Sequence, residues 1–229
     1  MLNNSKKCAV LILILLGQST AHAQNAVPDA INDTCQTQSA IQQNRSAELA
    51  GLVDDDQKDR ENWDNLSDQD KMNVSNRDLK RRMRVGEIFG EGCFKLAADY
   101  SAASLIYQHG DVPDHYFQAF IWANHAVRLG DLKQKRLVAL TLDRYLVSIG
   151  NKQLFGSQAY ASDETNWCYC LQPVESSFPD VLRLDYLNST LSQQYEWLLS
   201  INQENNNCPN IACPTELKPT PQGSVLGVW

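Results

Sequence analysis

The sequence predicts an all-α chain of antiparallel helical hairpins, stapled by disulfides and closed by an irregular C-terminal tail. Three observations lead there. Apolar residues recur at helical spacing between Gly and Pro breaks across 95–150. An even set of six cysteines follows a leader with the layout of an export signal. No segment shows the two-residue alternation of a half-buried strand.

The leader comes first. Lys6 and Lys7 precede an apolar run from Cys8 to Leu16, and Ala21-His22-Ala23 places small residues where a signal peptidase reads them. Residues 1–23 are therefore expected to be a signal peptide cleaved after Ala23, which places the protein in the periplasm or outside the cell. The apolar run is shorter than the ~20 residues a spanning helix needs. No later run is long enough either, so no membrane span is expected after cleavage. Loss of Lys6 and Lys7 from the 20 basic residues leaves 18 against 27 acidic ones, a net charge of −9 for residues 24–229. Such a surface repels nucleic acid and anionic lipid. The one basic cluster, Lys80-Arg81-Arg82 with Arg84, reads as a solvated helix face complemented by the upstream acids Asp54, Asp55, Asp56, Asp59 and Glu61. No nucleic-acid partner is expected.

Cys8 leaves with the signal. Cys35, Cys93, Cys168, Cys170, Cys208 and Cys213 remain, and six cysteines in an oxidising compartment favour disulfides over free thiols. Fifteen pairings are open. Cys168 and Cys170 stand one residue apart, which disfavours a bond between them. Both are expected to reach Cys208 and Cys213, leaving Cys35 for Cys93. The Cys168-Tyr169-Cys170 spacing is tighter than the C-x(2–4)-C pairs of zinc sites. Neither a metal nor a cofactor is expected.

Residues 24–45 are polar and read as an irregular N-terminal segment; a helical domain follows over 46–201. Ala47, Leu49, Ala50 and Val53 begin the first helix. Ser75 or Asn76 is expected to cap a second, running through Leu79, Met83, Val85, Ile88 and Phe89 to Gly90 and Gly92. The clearest part is three helices over 96–109, 113–129 and 132–149, separated by Gly110-Asp111-Val112-Pro113, Gly130 and Gly150. Ala97, Ala98, Ala102, Ala103, Ala119, Ala123 and Ala126 let such helices approach closely. This pattern is similar to the stacked hairpins of tetratricopeptide or Sel1-like proteins. A last helix is expected from Asp180 through Leu184, Leu187, Leu191, Tyr195 and Leu198. Residues 202–229, with Asn205-Asn206-Asn207, four prolines and Trp229, form a Pro/Asn-rich tail tethered by disulfides.

Polar pairs recur on the central helices. Ser104–His109 aligns with Ala139–Arg144 at an offset of 35 residues, which places Gln108-His109 and Asp143-Arg144 at equivalent helix positions. Together with Asp56-Gln57-x-x-Arg60 and Gln153-x-x-Gly156-x-Gln158 they carry a resemblance. Residues 47–200 resemble a bacterial domain-of-unknown-function family marked by D-Q-x-x-R, Q-H, D-R and Q-x-Y-G-T-Q signatures. The last helix is also similar, with Arg183 leading into Tyr195-Glu196-Trp197-Leu198. Phe155 and Ser157 depart from the family's Tyr and Thr. Gly92-Cys93-Phe94 stands in place of Gly-Trp-Pro, which implies that Cys93 was recruited for a disulfide. The resemblance carries no activity; it nominates residues.

Those residues have chemistry of their own. Asp56 and Arg60, four apart, share a helix face. His109 is suited to proton transfer near neutral pH with Asp143 orienting it. Arg60 or Arg144 can hold an anion, and Gln153 and Gln158 supply neutral hydrogen bonds. Such a set equally serves as an architectural network that locks helices together. His109, Asp111, Asp114 and His115 crowd one turn, which reads as an acidic helix–helix connection rather than a metal site. The function expected is binding: an exported envelope protein, an inhibitor or immunity protein, holding a protein or envelope component through Arg60, Gln108, His109, Asp143, Arg144, Gln153 and Gln158. The alternatives are a cofactor-independent hydrolase built on His109 with Asp143 or Asp56, and a structural envelope protein with no active site.

Overall fold

The computed structural model describes residue 35 and residues 38–161, 168–202, 208, 211–213 and 215–218. The expected signal peptide, its cleavage point after Ala23, and Trp229 lie outside these residues. The described residues are mostly helical, with seven α-helices and one two-stranded antiparallel sheet. The sheet corrects the expectation that the chain has no strand.

Helix α1 (Ser39–Lys58) starts within the segment expected to be irregular. Its first turns carry no apolar period, and tertiary bonds hold them instead. Gln42 donates to the Asp99 carboxylate at 3.1 Å, and Arg45 donates to Glu91 Oε1 at 3.1 Å. A disulfide joins Cys35 to Cys93, with Cα atoms 5.1 Å apart, just ahead of these contacts.

Helix α2 (Asp68–Gly90) begins earlier than the expected cap at Ser75 or Asn76. Ser67 is the cap: its Oγ accepts from the Asp70 N–H at 3.1 Å, and Asp68 and Asp70 in the first turn favour the positive helix end. The buried stripe is Val74, Asp78, Arg81, Arg82, Val85 and Ile88, while Leu79, Met83 and Phe89 face outward. The expected solvated basic face is thus corrected: Arg81 and Arg82 are inside.

Helices α3 (Ala97–Gln108), α4 (Pro113–Arg128) and α5 (Lys135–Ser148) form the centre. Asp99 caps α3 by accepting from the N–H groups of Lys95 and Leu96 at 2.9 and 2.8 Å. Pro113 opens α4, where its missing N–H costs nothing. Gly130, at φ +101°, lets the chain turn into a 3₁₀ segment, Leu132–Gln134, that leads into α5. Among the described helices, the α3/α4 and α4/α5 contacts are the broadest. Ala103, Ala119, Ala123, Ala126 and Ala139 are fully buried there, and small side chains at a crossing let helix axes come close. A first core gathers Leu49, Val85, Ile88, Phe94, Ile106 and Trp122. A second gathers Leu146, Leu154, Phe155, Phe178 and Leu187.

The single last helix expected from Asp180 is two: α6 (Asp180–Leu187) and α7 (Leu191–Asn202). Asn188 adopts the left-handed conformation at φ +56° and ends α6. Asp180 then accepts from the Leu191 N–H at 3.0 Å, tying the start of α7 to the start of α6. Strands β1 (Ala159–Ala161) and β2 (Tyr169–Leu171) pair with Tyr160 opposite Cys170. Asn202 clamps β2 by donating to the Tyr169 carbonyl at 2.7 Å and accepting from its N–H at 2.9 Å. Disulfides Cys168–Cys208 and Cys170–Cys213 pin part of the tail to this sheet, and Leu171 also bridges to Ala212.

Candidate functional site

The acid-rich end of α1 faces the basic stripe of α2. Asp56 sits in the last turn of α1, where the helix dipole disfavours a carboxylate, and it is fully buried. Dense pairing compensates. His109 Nδ1 stands 2.9 Å from Asp56 Oδ2 and 3.2 Å from Oδ1. Gln57 donates to Oδ2 at 2.8 Å. Arg60 Nη1 lies 3.0 Å from Oδ1 and also donates to the Asp56 carbonyl at 2.8 Å.

The network continues across α2. Arg60 Nη2 donates to Asp78 at 2.9 Å, and Arg81 Nη2 reaches both Asp78 at 2.6 Å and Asp59 at 2.7 Å. Arg77 grips Asp59 with two bonds of 2.7 and 2.8 Å. Arg82 donates to the His109 carbonyl at 3.0 Å and pairs with Asp111 at 3.3 Å. The crowded turn after α3 therefore diverges: His109 turns to Asp56, while His115 turns to Asp111 at 3.0 Å.

Arg77, with Arg81 beside it, holds the Asp59 carboxyl down at about 2 against the opposing pull of burial. A depressed carboxyl contributes stability that is fully present above its ordinary value of 3.8 and is lost as pH falls through about 2. Asp59→Asn should therefore lower stability by roughly 1–2 kcal/mol near neutral pH. It should also flatten the acid limb of a urea-midpoint profile between those two values; an unchanged limb would refute the assignment.

Asp143, on α5, does a different job from the one expected. It does not orient His109; Asp56 does. Asp143 is fully buried, and its oxygens accept from the N–H groups of Leu154, Phe155 and Ser157 at 2.8, 3.0 and 2.9 Å and from the Ser157 hydroxyl at 2.8 Å. Burial pushes its carboxyl above the ordinary value, and those four donors work in the opposite direction. Gln153 completes the loop: it accepts from the Gln158 N–H at 2.8 Å and donates to the carbonyls of Gln158 and Gln172.

Arg144 joins the two groups. Its Nη1 donates to the Gln108 carbonyl at 2.6 Å and its Nε to Gln158 Oε1 at 3.2 Å. Its guanidinium carbon lies 5.9 Å from the Tyr116 ring centre. Burial, with the like charge of Arg60 adding to it, lowers its pKa from the ordinary guanidinium value. The offset of 35 matches Gln108 with Asp143 and His109 with Arg144; the direct contact is the diagonal one, Arg144 on the Gln108 carbonyl. The sequence reading assigns Asp59, Arg81 and Arg82 to a solvated charged face and does not nominate Asp78 or Tyr116, although the spacing of three and four between Asp78, Arg81 and Arg82 is a signal.

A groove lies on another part of the surface. Ala50 and Val53 of α1, Ala102 and Leu105 of α3, and Leu137 and Leu140 of α5 line a hollow of 490 Å³. A second, of 400 Å³, is lined by Leu140, Ser157, Leu187 and Trp197, and the two meet at Arg136 and Leu140. The groove positions Ala98, Ser101, Ala102 and Leu105 correspond, again at an offset of 35, to Lys133, Arg136, Leu137 and Leu140. Comparison with protein-family models, with curated proteins and with solved structures found no match to this chain. No helix among the described residues is long and apolar enough to cross a membrane.

Proposed function

We propose that the chain is an exported binding protein of the cell envelope that holds a protein partner in the groove across α1, α3 and α5. The carrying observation is the groove itself. Helix α3 and, beyond α4, the 3₁₀ segment with α5 contribute four positions each to it, 35 residues apart, over a floor of Ala and Leu. That repetition supports a tetratricopeptide- or Sel1-like stacking and an extended occupant. The three disulfides support an oxidising compartment, in keeping with the export signal read in residues 1–23. The acidic surface favours a basic partner by steering its approach, which suits an inhibitor or immunity protein. In this reading the polar set of the resembled family is the frame of the groove. Asp56, Asp143, Gln153 and Gln158 fix the helices and the loop that shape it.

The test is capture from envelope extract under oxidising conditions at low salt, comparing the parent with Ala102→Trp. The bulky ring fills the groove floor, so capture should fall at least tenfold while the circular dichroism spectrum is retained. Equal capture by both proteins would defeat the proposal.

A second reading rests on one contact, the His109–Asp56 pair. A buried carboxylate holding Nδ1 leaves Nε2 for acid–base work, and the His109 side chain is 17% exposed. No Ser, Thr or Cys among the described residues bonds to His109, so this hydrolase would use water as its nucleophile.

A further inference from the structure

Arg144 is the unbalanced charge of the polar cluster. Asp56, Asp59, Asp78 and Asp111 are divided among Arg60, Arg77, Arg81 and Arg82. Arg144 has no carboxylate among the described residues; its protein partners are one backbone carbonyl and one amide oxygen. A guanidinium has five N–H groups in a planar fork, so three remain. Arg144 itself is only partly buried.

Arg60 lies close enough for its charge to act on Arg144, and His109 follows Gln108 directly. A half-buried cation without a counter-charge is costly, and a fork with open N–H groups matches the oxygens of a carboxylate or phosphate.

We propose that Arg144, with Arg60 and His109 beside it, binds one compact oxyanion, a carboxylate or a phosphate. This site does not depend on the groove reading, because its ligand is a small anion and its residues are separate from the groove floor. The experiment titrates the oxidised full chain with sodium acetate, sodium phosphate or sodium chloride at equal ionic strength. Thermal unfolding and the arginine Nε–H resonances are followed together.

Acetate or phosphate should raise the midpoint saturably above chloride and shift one arginine resonance with one-site stoichiometry. Arg144→Gln should weaken that binding at least tenfold. Arg144→Lys should weaken it less, since it keeps the charge and loses the fork. The resonance shift is read on the parent, so it stands even if a variant misfolds. The proposal falls if neither anion exceeds chloride, if the shifting resonance persists in Arg144→Lys, or if Arg144→Gln responds like the parent.

Discussion

Replacing Asp143 by alanine should lower the free energy of unfolding by about 3–5 kcal/mol. The carboxylate is fully buried and serves three backbone N–H groups and one hydroxyl. Those N–H groups belong to a loop that cannot turn to water, because Leu154 and Phe155 are packed into the second core. Removing the acceptor leaves each donor desolvated and unpaired, which is worse than losing the bonds alone. Asp143→Asn should also destabilise, since its NH2 faces donors where an oxygen is needed. The urea midpoint gives the global cost. Amide exchange gives the local one: the Leu154, Phe155 and Ser157 protons should exchange faster even where the rest of the fold holds. Unchanged protection at those three amides would contradict the assignment of Asp143 as the anchor of the loop.

The second large effect is expected at Asp56. Asp56→Ala should cost about 3–5 kcal/mol, because it strips a buried counter-charge from Arg60 and the nearby Arg81 rather than removing a surface pair. His109 loses its partner in the same step. A double-mutant cycle over Asp56→Ala and His109→Ala separates these contributions, with an expected coupling of about 1–3 kcal/mol. Additive denaturation midpoints across the four proteins would show that the 2.9 Å contact contributes nothing of its own.

The centre of the fold is legible in the sequence because its punctuation is strong. Pro113, Gly130 and Gly150 fall where α4 begins and where the chain turns after α4 and α5. The tethering of the tail follows from cysteine spacing, but which of Cys168 and Cys170 takes Cys208 goes with the bridge of Leu171 to Ala212 beside the β1–β2 pair. Those strands have three residues each, too few to show an alternation. The start of α2 is hard to read because residues 68–73 are largely polar and exposed, and the buried stripe beyond them is charged in the middle. A pattern search looks for apolar residues, and Asp78, Arg81 and Arg82 are inside because Arg60 meets the first and Asp56, Asp59 and Asp111 meet the arginines from other segments. The break at Asn188 was hidden for the opposite reason: Leu184, Leu187 and Leu191 keep helical spacing straight through it.

At the candidate site, the Gln108-His109 and Asp143-Arg144 pairs stand out in the sequence because an internal repeat matches them position by position. Asp143 was misassigned because its partners lie 11 to 14 residues further along its own chain. Three of the four are backbone groups, which carry no residue-type signal.

The cross-links also set how the chain can lengthen under tension. Cys35–Cys93 closes one covalent ring, and Cys168–Cys208 and Cys170–Cys213 close two overlapping rings at the other end. Between Cys93 and Cys168 there is no cysteine. A pull applied at Cys35 and Cys213 therefore draws its slack chiefly from the stretch that holds α3, α4 and α5. The ring segments are short-circuited. That stretch reaches about 250 Å when extended. Force would reach the groove and the Gln108–Arg144 contact, while the two ringed ends kept their topology.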